Sequence, residues 1–120
     1  MNQKIPDEIE VRYYEDENGK CPFERFFNRL SVMAAVKVTA ALSRLRAGNT
    51  ADSKSVGKGV SELRINWGPG YRLYYGWDGL KLVILLTGSA KKAKKQQSAD
   101  ISSAQNFWVD YKRRKGKGAS

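Results

Sequence analysis

No histidine occurs anywhere in the sequence, which removes the commonest acid–base catalyst and the commonest metal ligand at one stroke. Cysteine is nearly as scarce. Cys21 stands alone, so no internal disulfide can form and a reducing cytoplasm fits. One cysteine without histidine cannot build a zinc site, and we expect neither metal nor cofactor. Nucleotide signatures are missing too: there is no P-loop and no G-x-G-x-x-G, and "GPGYRLYYG" reads as a turn and a strand. Long apolar runs are absent. The longest, Leu82 to Leu86, falls far below the roughly 20 residues that span a bilayer. The N-terminal "MNQKIPDEIEVRYYEDENGK" has no apolar core of a signal peptide, so a cytoplasmic protein without a membrane partner is expected.

Acidic residues are the next scarcity, and their distribution matters. Residues 1–30 carry five basic and seven acidic side chains, residues 31–90 eight and three, and residues 91–120 nine and two. The net charge of +10 is therefore concentrated in the last quarter of the chain. Such a field gathers polyanions, nucleic acid first among them. What the chain does have is a globular complement of apolar residues, 41% of 120, with three Trp, six Tyr and four Phe. That is enough for one domain with a core and too little for two.

Periodicity orders the elements. "IEVRYYED" alternates Ile9, Val11 and Tyr13 with Glu10, Arg12 and Tyr14, which predicts a strand. After the Glu17–Lys20 turn, Pro22 suits a first helical position, and Phe23, Phe26, Phe27 and Leu30 share a face. Ser31 is placed to cap a second helix, whose Val38, Leu42 and Leu45 form a stripe ending at Gly48. Residues 49–60 read as a loop. Three strands follow: "ELRINW", "YRLYYGW" after a Gly-Pro-Gly turn, and "LKLVILLTG" after Asp78-Gly79. A last helix carries Ile101, Ala104, Phe107, Trp108 and Tyr111. The order β-α-α-β-β-β-α predicts an α+β domain. Its expected sheet is small, four-stranded and mainly antiparallel, with an N-terminal helical hairpin and a C-terminal helix. The domain is expected over residues 1–112, with 113–120 a basic tail.

Alternation also points to a site. If Leu63, Ile65, Tyr71, Leu73 and Tyr75 face the core helices, then Arg64, Arg72 and Tyr74 emerge together on the opposite face. Lys91, Lys92, Lys94 and Lys95 follow the end of the last strand and reach one edge of that face. Lys54 and Lys58 approach its rim from the preceding loop. Each has a structural alternative: Arg64 as a solvated partner for glutamate, Arg72 paired with a carboxylate, Tyr74 as packing, the lysines as a solvated loop. Convergence of separate segments on one surface favours function. Without histidine, Lys, Arg and Tyr must carry any chemistry, and RNA cleavage can use them. The 2′-hydroxyl supplies the nucleophile, Arg stabilises the phosphorane, a Lys among cations serves as base, and Tyr stacks or transfers a proton.

"ELRINWGPGYRLYY" followed by "LVILLTGS…KKQQSADISSA" closely resembles the phage-derived addiction-module killer proteins of the RelE/ParE (HigB-like) toxin superfamily. Glu62, Arg64, Gly68, Gly70, Tyr71, Arg72 and Tyr74 match one motif, and Lys94, Gln97, Asp100 and Ile101 the other. The resemblance implies a toxin paired with a helix-turn-helix antitoxin. RelE-like and HigB-like relatives cut mRNA in the ribosomal A site, whereas ParE-like relatives inhibit DNA gyrase. The expectation is a metal-independent, ribosome-dependent endoribonuclease that inhibits translation. Its catalytic residues would be Arg64, Arg72, Tyr74 and Lys94; Lys54, Lys58, Lys91, Lys92 and Lys95 would bind RNA and ribosome. A non-nuclease gyrase inhibitor and a non-toxic nucleic-acid-binding module remain the alternatives.

Overall fold

The computed structural model describes residues 8–91 and 93–118. Eight elements follow one another: β1 (Glu10–Tyr13), α1 (Pro22–Asn28), α2 (Val32–Arg46), β2 (Ser53–Gly57), β3 (Val60–Ile65), β4 (Tyr71–Trp77), β5 (Leu82–Ala90) and α3 (Lys94–Gly118). Local chemistry sets most boundaries. The Asp16 carboxylate accepts the N–H groups of Asn18 and Lys20 and closes the turn before α1, whose first position is Pro22. The Ser31 hydroxyl accepts the Ala34 N–H at 3.2 Å, capping α2.

The sheet order is β1-β5-β4-β3-β2, with β1 parallel to β5 and every other pair antiparallel. This corrects the expected four strands to five and makes the sheet mixed. The added strand, β2, lies inside the stretch that reads as a loop. Ser53-Lys54-Ser55-Val56-Gly57 has almost no apolar alternation to announce it, because an edge strand is held by its backbone ladder to β3.

Both faces of the sheet are covered. On one, Leu63, Ile65, Leu73, Tyr75, Val83 and Leu85 pack against Phe23 of α1 and Val38, Ala41, Leu42 and Leu45 of α2. On the other, Val60, Tyr74, Ile84, Leu86 and Tyr14 pack against Ala104 and Trp108 of α3. The face expected to present Arg64, Arg72 and Tyr74 to solvent is therefore roofed by a helix for much of its length. Trp108 lies so close to the sheet that a Cβ on Gly59 or Gly76 would stand 2.7 Å from its indole.

Where the sequence reads as a basic tail from residue 113, α3 continues through Arg113, Arg114 and Lys115 to Gly118. Two carboxylates hold this part of the helix. Asp110 accepts from Tyr14 Oη at 2.6 Å and pairs with Arg113 and Arg114; Asp78 accepts from Tyr111 Oη at 2.6 Å and pairs with Lys115. The Lys115 bond holds the Asp78 carboxyl below its usual range, and the Tyr14 bond does the same for Asp110. Burial pushes both phenols up to about 12. A depressed carboxyl pKa contributes stability above the unfolded value of about 3.9 and loses it as pH falls through the folded value. Acidification below about pH 4 should therefore release the second half of α3 first. Amide exchange at residues 108–115 should accelerate before that of β4, and unchanged protection there would contradict the assignment. Among the described residues no helix is long and apolar enough to cross a membrane.

Candidate functional site

A buried carboxylate organises the site. Glu62 on β3 is fully inaccessible, which is costly for a charge unless partners replace its water. They come from three elements. Tyr74 Oη donates to Oε2 at 3.3 Å, Gln97 Nε2 of α3 donates to Oε2 at 2.9 Å, and Arg64 Nε donates to Oε1 at 3.4 Å. Arg72 Nε lies 3.6 Å from Oε2. Strand register explains the meeting: Glu62 stands opposite Tyr74, and Arg64 opposite Arg72. Two guanidiniums directly across a strand pair repel. Glu62 offsets that repulsion and leaves the trio with one net positive charge.

The guanidiniums differ in access. The Arg64 side chain is 48% exposed and that of Arg72 only 12%. Arg72 Nε and Ser89 Oγ are buried without a hydrogen-bond partner among the described residues, and the two residues are register neighbours on β4 and β5. Lys54 on β2 stands opposite Glu62 on β3, so period-two geometry puts it on the same face, exposed. With Arg64, Asp52 and Asn66 it lines a shallow depression of about 280 Å³.

The other expected residues divide. Lys91 packs against the turn entering β4: its N–H donates to Gly70 O at 2.8 Å, and a Cβ on Gly70 would meet its side chain at 3.3 Å. Lys94 and Lys95 open α3 and are exposed; Lys94 lies one turn before Gln97 on the same side of the helix. Lys58 is not brought to this end. It sits at the β2–β3 turn with φ of 55°, about 20 Å along β3 from Arg64. Lys92 lies outside the described residues. Tyr74 is buried rather than exposed, and its phenol is pushed well above its ordinary range by burial and by the Glu62 charge. Its side chain is fully inaccessible and its hydroxyl is bonded to Glu62. Its place is as a support for Glu62.

Glu62, Gln97 and Ser89 are the participants that reading for exposed cations passes over. Glu62 and Gln97 both belong to the matched motifs, and that was the available signal. Among the described residues no group of three or more His, Cys, Asp or Glu could hold a metal ion.

The lysines at the start of α3 act against the helix. Backbone N–H groups make that end positive, and no acidic residue balances it in the first turn. Lys94→Glu should therefore raise stability by about 0.3–1 kcal/mol in a urea titration while weakening binding of a polyanion. A destabilised Glu variant would show that Lys94 does not act against the helix.

The site and fold define a small basic α+β protein whose sheet is clasped between a helical hairpin and a long C-terminal helix. Residues 25–108 match the family model described as phage-derived protein Gp49-like (DUF891), and the chain belongs to that family. The matched span contains Glu62, Arg64, Arg72, Tyr74, Lys94 and Gln97. An uncharacterized protein of Haemophilus influenzae is 41% identical over 83 residues, which are 68% of this chain and 81% of that relative.

Proposed function

We propose that the chain is the toxin of a toxin–antitoxin pair of the RelE/HigB-like kind, neutralised by a helix-turn-helix antitoxin, and that it cleaves mRNA on the ribosome. The observation that carries this reading is the clasp on Glu62, which fixes two guanidiniums side by side at the end of a sheet ringed by exposed lysines. In this reading Arg64 and Arg72 hold the scissile phosphate. Lys94 takes the proton from the 2′-hydroxyl. The 2′-oxygen then bonds to phosphorus as the bond to the 5′-oxygen breaks, and water protonates the departing 5′-oxygen, leaving a cyclic phosphate and a 5′-hydroxyl. Arginine suits the phosphorane because its planar fork gives two-point contact. Lys54, Lys91, Lys92 and Lys95 engage the backbone of mRNA and rRNA, with Lys58 as an outlying contact. Tyr74 holds Glu62 in place.

No histidine and few free proton-transfer groups imply slow cleavage of naked RNA. The ribosome would impose the in-line geometry, an effect worth several powers of ten. Burial of Tyr74 and attachment of Arg72 to Glu62 favour a second reading, a non-nuclease toxin acting on DNA gyrase. Induction of the chain in bacteria separates the two. The first expects translation to stop, with primer extension finding new 5′ ends within codons; the second expects continued synthesis with collapsed supercoiling. Efficient cutting of free RNA would count against ribosome dependence.

A further inference from the structure

The outer edge of β5 changes character halfway along. β1 pairs with it only as far as Leu85, whose carbonyl accepts the Tyr14 N–H at 2.9 Å. Beyond that point β5 runs on to Ala90 with β4 on one side alone. The Lys91 N–H, donating to Gly70 of the turn before β4, fixes which alternate groups point inward. Ser89 and Thr87 therefore face β4, and the N–H and C=O groups of Gly88 and Ala90 face away from it. No bond from either to another element is found among the described residues.

These outward groups floor a cleft of about 690 Å³ between α1 and α3. One wall carries Arg25 and Arg29, neither of which has an ion pair among the described residues. Phe26 and Leu30 supply apolar surface, and Ser89, whose Oγ is buried without a partner, lies in the lining. Spacing makes the wall and floor commensurate. Arg25 lies in α1 and Arg29 caps its C-terminal end four residues on, about 6 Å along the helix axis. Alternate residues of a strand are about 6.6 Å apart, as are Gly88 and Ala90. A strand laid on this edge would carry two same-side residues past the two arginines while its backbone met Gly88 and Ala90.

We infer that this cleft docks an extended acidic segment of a partner protein, added to β5 as a sixth strand collinear with β1, with its carboxylates on Arg25 and Arg29. Peptide fits better than nucleic acid, because the outward N–H and C=O groups of Gly88 and Ala90 need a backbone that offers both donors and acceptors, which a chain of phosphates does not. The identity of the partner as the antitoxin rests on the toxin reading above; the chemistry of the cleft does not.

The test uses the full chain co-expressed with the antitoxin that the proposed function assigns to it. In the complex, amide exchange at Gly88 and Ala90 should slow at least tenfold. Arg25→Glu with Arg29→Glu should weaken the complex about a hundredfold or more by calorimetry while the free variant still arrests growth. Ala90→Pro, which deletes an outward N–H and no β4–β5 bond, should do the same and guards against misfolding of the charge variant. Wild-type affinity in both variants, or unprotected Gly88 and Ala90 in the complex, would overturn the inference and leave the toxin reading standing. Loss of exchange protection only with the variants, in a chain that never arrests growth, would uphold the docking edge and sink the toxin reading.

Discussion

If the chain is the proposed nuclease, Arg72→Ala should lose both cleavage and stability, and adding Glu62→Gln should restore the second without the first. Removing a preorganised donor to a transition-state oxyanion costs about 10² to 10³ in rate, or roughly 3–4 kcal/mol. The stability loss has a separate origin. Arg72 is nearly buried and neutralises a carboxylate with no access to water. Deleting one member of such a pair costs up to about 3–5 kcal/mol. Arg64, Tyr74 and Gln97 remain on Glu62, so the lower part of that range is expected. In the double variant an amide replaces the orphaned charge and keeps an acceptor for Tyr74 or Gln97. Urea midpoints and primer extension on ribosomes read the two effects independently. Arg72→Lys should rescue cleavage poorly, since an ammonium lacks the fork. If the double variant cuts at the wild-type rate, Arg72 does not touch the reacting phosphate and the lysines of α3 must be the centre. If the single variant is as stable as wild type, Glu62 does not depend on it.

This coupling was hidden in the sequence for a physical reason. Alternation along β3 and β4 correctly separated Leu63, Ile65, Leu73 and Tyr75 from Arg64, Arg72 and Tyr74, because side chains of a strand must alternate. It says which residues share a face and nothing about what covers that face. The cover was written elsewhere, in the Ile101–Ala104–Trp108 stripe of α3, which needed a sheet to bury against. Glu62 then reads as a surface charge until the helix is placed over it. The helical hairpin was legible for the opposite reason, since Pro22, the Ser31 cap and the Val38–Leu42–Leu45 stripe are local signals. β2 left almost no trace, its ladder being made by groups every residue has. Past residue 112, α3 meets Asp78 through Lys115, as Tyr111 does just before it, and Asp78 is 33 residues from Tyr111 and invisible to any local pattern.

Trp108→Ala should show how far the site depends on that cover. The indole is 5% exposed, fills the space left by Gly59 and Gly76, stacks on Tyr111 at 5.4 Å and lies under Lys112 at 5.5 Å. No neighbouring backbone can collapse into the hole easily, because both glycines sit on paired strands or their turn. Truncating a buried tryptophan costs about 3–5 kcal/mol, against a total of roughly 5–15 for a domain. The second half of α3 keeps its bonds to Asp110 and Asp78, but these are solvent-accessible pairs of small worth. The expected result is a large fall in urea midpoint together with loss of cleavage, since α3 also carries Gln97 to Glu62 and Lys94 to the sheet end. Trp108→Phe should recover most of the stability, keeping an aromatic plate over the two glycines. A Trp108→Ala chain with a normal midpoint would mean that α3 is not the roof of this face, and the buried clasp on Glu62 would have no cause.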